Sequence, residues 1–173
     1  MDKALMTAAT AAMNRLADHA AVVRLSNTDE FTFRSFFLYE LMKVLPSAQC
    51  ETEWQRVDLL VRHLDENTLI EFKHYLHRRS MLLDGSPANW KGGPGPKNEE
   101  EFKSCIKQLH RCAFTPVQAK YIVLVYERSS PRKSRYCFSR SYDRLTAGGP
   151  LLEVIDIHHK LEDSVTCKLL RIA

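Results

Sequence analysis

The stretch RVDLLVRHLDENTLIEFKHYLHRR, residues 56–79, decides the fold, because its two apolar runs predict neighbouring β-strands. The strands are expected over residues 56–63 and 68–76, with the turn-forming residues LDEN between them. Each strand nevertheless contains an acidic residue, Asp58 in the first and Glu71 in the second, where a buried sheet normally carries apolar side chains. Why these charges lie inside the strands is the question that the sequence raises.

Three charged residues of this hairpin are expected to lie close together. Glu71 and Lys73 share one face of their strand, because side chains alternate between the faces of a sheet. Asp58 lies on the paired strand, so one part of the sheet would carry two carboxylates and an ammonium group. Desolvating such charges costs on the order of several kcal/mol per ion, which favours ion pairing or a bound metal. The alternative is an exposed charge pair on an edge strand, solvated by water.

The elements around the hairpin predict a mixed α/β domain. Their order is α, α, β, β, β, α, β, then a basic loop and two final strands that pair as a hairpin. The most apolar strand, AKYIVLVYE, is expected at the centre of the sheet. The expected helices span residues 2–24, 28–45 and 98–113, and the expected strands span 50–55, 56–63, 68–76, 119–126, 151–159 and 165–172.

A third acid is expected to face the sheet from the second helix. Phe33, Phe37 and Leu41 repeat at the spacing of a buried helical stripe, and Glu40 falls inside that stripe. A carboxylate on the apolar face of a helix, next to a sheet that holds Asp58 and Glu71, is a candidate metal ligand. The alternative is a polar residue at the border of the stripe.

This set of side chains suits the hydrolysis of a phosphodiester. Carboxylates are natural ligands of Mg²⁺, which keeps several waters and also takes phosphate oxygens as ligands. The bound ion lowers the pKa of a water and neutralises charge on the phosphate. A neighbouring lysine such as Lys73 can orient or deprotonate that water, or stabilise the developing charge.

The pattern resembles the PD-(D/E)XK signature of the restriction-endonuclease-like nuclease superfamily. The residues that carry the resemblance are Asp58 and, after twelve intervening residues, the run Glu71-Phe72-Lys73. The resemblance implies a core of αβββαβ order over residues 28–126, with the N-terminal helix and the C-terminal strands as additions. It also implies that Asp58, Glu71 and the backbone carbonyl of Phe72 bind Mg²⁺ or Mn²⁺, that Lys73 is the catalytic lysine, and that Glu40 is a further ligand.

A basic stretch between residues 128 and 144 predicts contact with nucleic acid. Tyr136, Phe138 and Tyr142 alternate with its arginines, so phosphate contacts would lie beside rings able to stack on bases. The alternative is a solvated loop or hairpin. The residues expected to contact nucleic acid, including the pair that follows the second strand of the hairpin, are Arg78, Arg79, Arg128, Arg132, Lys133, Arg135, Tyr136 and Arg140.

Composition is consistent with an ordinary soluble domain. The chain has 173 residues, a net charge of +4 and five cysteines, none of which forms a CxxC pair. These features predict one domain over residues 1–173 and reduced thiols in a cytoplasm, rather than a disulfide framework or a structural zinc site. The first 27 residues contain neither the apolar core of a signal peptide nor an unbroken membrane span.

The sequence therefore predicts a single-domain endonuclease that uses Mg²⁺ or Mn²⁺ to hydrolyse DNA, in preference to RNA. Its partners would be DNA and either a second copy of the chain or a protein that supplies target recognition, with no membrane. The competing interpretation is a catalytically inactive nucleic-acid-binding or regulatory module with the same fold. A hydrolase for another phosphoester fits the basic stretch less well.

Overall fold

The protein is described by a computed structural model over residues 1–23, 28–76, 84, 96–112, 117–127, 138–146, 152–160 and 165–173. These residues form a mixed α/β structure, as the sequence predicts, with helices on both faces of one sheet. The elements in chain order are α1 (Asp2–Val23), α2 (Glu30–Val44), β1 (Gln49–Trp54), β2 (Val57–His63), β3 (Glu66–Tyr75), α3 (Pro96–Arg111), β4 (Val117–Glu127), α4 (Phe138–Thr146), β5 (Leu152–Lys160) and β6 (Val165–Ile172).

The sheet has six strands in the order β1-β2-β3-β4-β6-β5. Strands β1, β2 and β3 form an antiparallel meander, and β4 then pairs in parallel with β3. A parallel neighbour requires a crossover, and α3 lies within that connection. Strand β4 is interior and buried from Tyr121 to Tyr126, which confirms the central position predicted from its apolar composition. The final hairpin is also confirmed, because β5 and β6 pair antiparallel.

Helices α1 and α2 cover one face of the sheet. Alanine at positions 8, 9 and 12 of α1 is almost fully buried, and the small side chains let this helix pack closely. Helix α2 begins where Asp29 accepts a hydrogen bond from the backbone N–H of Thr32 at 2.8 Å, a capping interaction that satisfies a free helical donor. Phe33, Phe37 and Leu41 of α2 enter the core, as their spacing predicts.

Helices α3 and α4 cover the opposite face. Helix α3 begins at Pro96, where the missing N–H of proline costs no helical hydrogen bond. Its residues Phe102, Cys105 and Leu109 pack on the sheet. Helix α4 lies within the basic stretch, for which the sequence predicted a loop or hairpin, so that prediction is wrong for Phe138–Thr146.

The burial of Tyr142 explains why α4 forms. Its ring is fully buried, stacks on Tyr75 with centroids 4.7 Å apart, and contacts Phe102 edge-on at 5.8 Å. An aromatic side chain buries a large apolar area, so this one residue fixes the helix against the sheet. Tyr142 is therefore a core residue and cannot stack on a base, which corrects its predicted contribution to nucleic-acid binding.

Two further expectations from the sequence concern disulfides and membrane-spanning helices. None of the four described cysteines, Cys50, Cys105, Cys112 and Cys167, forms a disulfide with another described residue. None of the helices in the described part of the chain is long and apolar enough to cross a membrane.

Candidate functional site

The candidate site lies where β2 and β3 separate. Their backbone pairing ends at Leu59 and Ile70. Immediately beyond that pair, hydrogen bonds from the backbone to carboxylates replace those between the two backbones. The N–H of Asp58 donates to Oε2 of Glu71 at 3.3 Å, and the N–H of Phe72 donates to Oδ2 of Asp58 at 2.7 Å. The two predicted carboxylates therefore meet between the strands, each bonded to the backbone of the other strand.

A tight turn holds the start of β2 in place. Gln55 and Arg56 link Trp54 to Val57 and have φ values of 45° and 72°. This left-handed region suits a two-residue hairpin turn, but it costs side chains other than glycine on the order of 1 kcal/mol each. The turn ends one residue before Asp58, so the local geometry of the β1–β2 hairpin positions the carboxylate.

Two cations pair with the two acids. Lys73 Nζ lies 2.9 Å from Glu71 Oε1, and Arg34 Nη1 of α2 lies 3.1 Å from Asp58 Oδ1. The side chains of Asp58 and Glu71 are each 14% exposed, Lys73 is 11% exposed and Arg34 is 9% exposed. Because these groups are largely removed from water and β3 is an interior strand, an exposed edge-strand pair does not describe them.

Glu30, rather than Glu40, is the further acid that interacts electrostatically with Asp58 and Glu71. The carboxylate of Glu40 accepts a hydrogen bond from Arg15 Nε of α1 and lies 3.1 Å from Lys43 Nζ, and these two cations lower its pKa. Glu40 is buried as predicted, but it faces α1. The prediction that it joins Asp58 and Glu71 is therefore not met in this structure.

Glu30, in the first turn of α2, interacts electrostatically with the strand charges. Its pKa is raised from the ordinary value of 4.5 to about 7, chiefly by burial and also by repulsion from Asp58 and Glu71, against the opposing effects of Lys73 and Arg34. The sequence signal for this residue is weak, because an acid in the first turn of a helix is also favoured by the helix dipole. Arg34 was also missed, although it falls one turn after Glu30 on the same helix.

The charge state of Lys73 limits its chemical role. Burial lowers the pKa of its ammonium group, but the carboxylates of Glu71 and Glu30 outweigh that effect and raise the pKa well above its usual range. Burial raises the pKa of Glu71, and Lys73 opposes that rise. A lysine held in the protonated form cannot take a proton from water at neutral pH. Of the two roles predicted for Lys73, stabilising negative charge is the one that this electrostatic environment favours.

The donor set fits a hard divalent cation. Asp58, Glu71 and Glu30 have carboxylate oxygens that could act as donors, and the described cations that interact with them are Lys73 and Arg34. A divalent ion would relieve the repulsion that raises the pKa of Glu30. Within the described residues, no three His, Cys, Asp or Glu side chains are already arranged as a complete metal-binding group. An ion would therefore have to compete with the ion pairs, and the carbonyl of Phe72 as a ligand stays a prediction.

Most of the residues predicted to contact nucleic acid lie outside the described part of the chain. For Arg140, the backbone belongs to α4 and the side chain is not described. Arg144, also in the basic stretch, is 71% exposed and pairs with Glu99 of α3 at 3.1 Å. The predicted residues outside the described ranges are Arg78, Arg79, Arg128, Arg132, Lys133, Arg135 and Tyr136.

Comparison with known proteins does not identify a family. A scan against protein-family models finds no match, and searches of curated proteins and of solved structures also find none. The function of the chain is accordingly inferred from the residues of the site and their geometry.

Proposed function

We propose that the protein is a metal-dependent nuclease that hydrolyses DNA phosphodiester bonds at the point where β2 and β3 separate. The observation that carries this proposal is the reciprocal bridging of Asp58 and Glu71 across the two strands, with Lys73 paired to Glu71. Carboxylates and a protonated amine in a partly desolvated site have the charges needed to bind a cation and stabilise a phosphate.

The order of the elements supports the PD-(D/E)XK interpretation. From α2 to β4 the chain runs helix, three antiparallel strands, helix, and a strand parallel to the third, in the αβββαβ order that the resemblance implies. The acids lie on the second and third strands, as the motif requires. Helix α2 adds Glu30 at its first turn, in place of the glutamate predicted from the apolar stripe.

In the proposed mechanism, Asp58, Glu71 and Glu30 hold Mg²⁺ or Mn²⁺. When bound, such an ion lowers the pKa of a water and neutralises charge on the scissile phosphate. Lys73 remains protonated and stabilises the negative charge that develops on the phosphate oxygens. Arg34 fixes the carboxylate of Asp58 between the strands through its 3.1 Å ion pair. Attack of the water oxygen on phosphorus would break one P–O bond of the backbone, leaving a phosphate on one new end and, after the leaving oxygen takes a proton, a hydroxyl group on the other.

The second candidate is a catalytically inactive nucleic-acid-binding or regulatory module with the same fold. The observation that favours it is the set of ion pairs that already neutralise the acids: Arg34 on Asp58 and Lys73 on Glu71. In such a module, the buried cluster would stabilise the structure or bind a partner, with no turnover.

Substitution of Glu71 separates the two candidates. We expect Glu71→Gln to abolish cleavage of duplex DNA in Mg²⁺ or Mn²⁺ while leaving duplex binding in EDTA unchanged. Glu66→Gln is the matched control, because Glu66 is exposed at the opposite end of the same strand. Equal cleavage by both variants would refute the catalytic assignment. Absence of cleavage by the unmodified protein, together with retained binding, would support the inactive module.

A further inference from the structure

A groove beside the candidate site has the chemistry of a phosphate-binding surface. It has a volume of about 440 Å³ and lies between α3 and the turn that joins β1 to β2. Gln55 and Val57 form the strand side, while Ser104, Lys107 and Arg111 are among the residues on the helix side. A hydrogen bond of 3.5 Å from the side chain of Gln108 to the carbonyl of Arg56 joins the two sides.

The groove is positively charged. Lys107 and Arg111 lie one helical turn apart and are exposed, and neither forms an ion pair with another described residue. Among the described residues that line the groove, none is acidic. The acids of α3 are at its other end, at positions 99–101, so the helix presents cations and hydrogen-bonding side chains here.

The groove leads to the candidate site. Val57, which lines it, directly precedes Asp58 in β2. On the helix side, Ser104 precedes Cys105, whose thiol is buried toward the sheet. Burial raises the pKa of that thiol, and the charge of Glu71 adds to the effect, which places Cys105 within electrostatic reach of the site. A chain of phosphates that passes the carboxylates would therefore meet the groove next.

A second groove provides an internal comparison. It has a volume of about 390 Å³ and is also lined by two cations, Lys3 and Arg171. It contains two acids as well, Asp2 and Glu66, so its charges balance. It lies at the end of β3 where Glu66 is found, away from Glu71 and Lys73.

We propose that the groove between α3 and the β1–β2 turn binds the phosphate backbone of a DNA strand beside the phosphate that enters the candidate site. This inference rests on the proposed function only in taking DNA as the substrate, since the groove would hold the same backbone without turnover. Lys107 and Arg111 contact phosphates, so they contribute affinity and orientation and no base specificity. Ser104 and Gln55 supply neutral hydrogen bonds to the same backbone.

The test removes the two charges and compares the variant with a charge-matched control. In the full chain, K107Q/R111Q changes the net charge by the same amount as K3Q/R171Q in the second groove. Binding of a fluorescent DNA duplex is measured in EDTA over a range of salt concentrations. We expect K107Q/R111Q to weaken binding at least about tenfold and to reduce the salt slope by about 2, because each phosphate contact contributes about 0.9. The K3Q/R171Q control should bind DNA with nearly the affinity and salt slope of the unmodified protein. Any small loss that it shows measures the effect of net charge, which is the same in both variants.

The outcomes distinguish the groove from the catalytic proposal. If the unmodified protein cleaves DNA while both double variants bind it equally well, the groove assignment is overturned and the nuclease stands. If K107Q/R111Q alone loses binding and the unmodified protein does not cleave, the groove stands and catalysis fails. If the unmodified protein binds no DNA in this assay, the groove assignment is overturned, and the nuclease is decided by its metal-dependent cleavage. Melting temperatures check folding, which these exposed positions should preserve.

Discussion

Two clusters of partly buried charged side chains differ in the acids and cations that they bring together. In the first, Glu30, Asp58 and Glu71 interact with two described cations, Arg34 and Lys73, and burial together with repulsion among the acids raises the pKa of Glu30. The second cluster joins α4 to the sheet. There Lys168 Nζ lies 2.9 Å from Asp143 Oδ1 and donates to Thr146 Oγ1 at 2.6 Å, and the hydroxyl of Tyr126 donates to the same carboxylate.

The difference indicates what each cluster is for. One acid and one base, with hydrogen bonds from neutral neighbours, satisfy each other, so the Asp143–Lys168 cluster stabilises the position of α4. In the first cluster, the carboxylates of Asp58 and Glu71 repel that of Glu30, and this repulsion adds to the burial that raises the pKa of Glu30. Active sites commonly retain such destabilising arrangements because function requires them. Repulsion among its acids, in addition to burial, therefore distinguishes the β2–β3 cluster as the candidate site.

The largest expected effect is on cleavage. Lys73→Met should lower the cleavage rate by about 10²–10³-fold, because it removes the cation that stabilises charge on the phosphate. Lys168→Met removes a cation of similar burial from the second cluster and should leave the rate per folded molecule unchanged. The measurement is the initial rate on labelled duplex DNA, below the melting temperature of each variant. A comparable loss in both variants would remove the functional distinction between the clusters.

Bound Mn²⁺ should raise the stability of the protein through the cluster of Glu30, Asp58 and Glu71, and not through the Asp143–Lys168 cluster. At a Mn²⁺ concentration about 100 times its dissociation constant, we expect stabilisation of about 2.7 kcal/mol, seen as a higher melting temperature. Asp58→Asn should abolish this shift, because it removes a proposed ligand. Asp143→Asn should keep the shift, although its starting melting temperature is lower. A Mn²⁺ response that survives Asp58→Asn would place the ion elsewhere.

Removing an acid should lower the stability of the protein less in the first cluster than in the second. Asp143→Asn should destabilise the protein by about 1–2 kcal/mol, since Lys168 loses its ion pair and Tyr126 an acceptor. In EDTA, Glu71→Gln should cost less than Asp143→Asn, because relief of the burial cost of the carboxylate and of its repulsion with Asp58 offsets the loss of the ion pair with Lys73. Urea denaturation of both variants provides the comparison. A larger cost for Glu71→Gln would mean that Glu71 is mainly structural.

The last expected effect is a dependence of stability on pH. Burial and repulsion raise the pKa of Glu30 from 4.5 in the ordinary case to about 7. Between these values the folded state binds more protons than the unfolded state, so stability falls as the pH rises, by up to about 1.4 kcal/mol per pH unit. Above about pH 7 this loss is complete.

Glu30→Gln tests that dependence directly. Without metal, the variant should show a flatter decline of stability between pH 4.5 and about 7 than the unmodified protein. The Glu40→Gln variant is a useful contrast, because Arg15 and Lys43 lower the pKa of Glu40, so its loss should not flatten the same decline. Denaturation in urea at a series of pH values gives the slopes. Identical slopes for Glu30→Gln and the unmodified protein would contradict the assigned coupling.

Most of the fold and three residues of the candidate site could be predicted from the sequence. Strand alternation placed Asp58, Glu71 and Lys73 correctly, because their strands are adjacent in the chain and pair through a short turn. The bounds of the elements differ from those predicted by only a few residues. Apolar periodicity also identified β4 as central, since an interior strand is buried on both faces.

The remaining site residues depended on tertiary packing. Helix α2 contacts both α1 and the sheet, and periodicity alone cannot say which of them Glu40 faces. Glu30 reaches the strands from the helix end, where an acid also has a local explanation through the helix dipole. Tyr142 was interpreted as a nucleic-acid contact because its neighbours are basic, whereas its ring is buried against Tyr75. In each case the local sequence was compatible with two different surroundings of the side chain.

Cleavage of nucleic acid by purified protein tests the central claim most directly. End-labelled single-stranded, duplex and branched DNA, together with RNA, would be incubated with Mg²⁺, Mn²⁺ or EDTA, using the unmodified protein and Glu71→Gln. The account predicts metal-dependent cutting of DNA by the unmodified protein, none in EDTA and none by Glu71→Gln. Cutting that persists in Glu71→Gln, or that needs no metal, would contradict the assignment of the Asp58–Glu71 cluster as a metal-dependent catalytic centre.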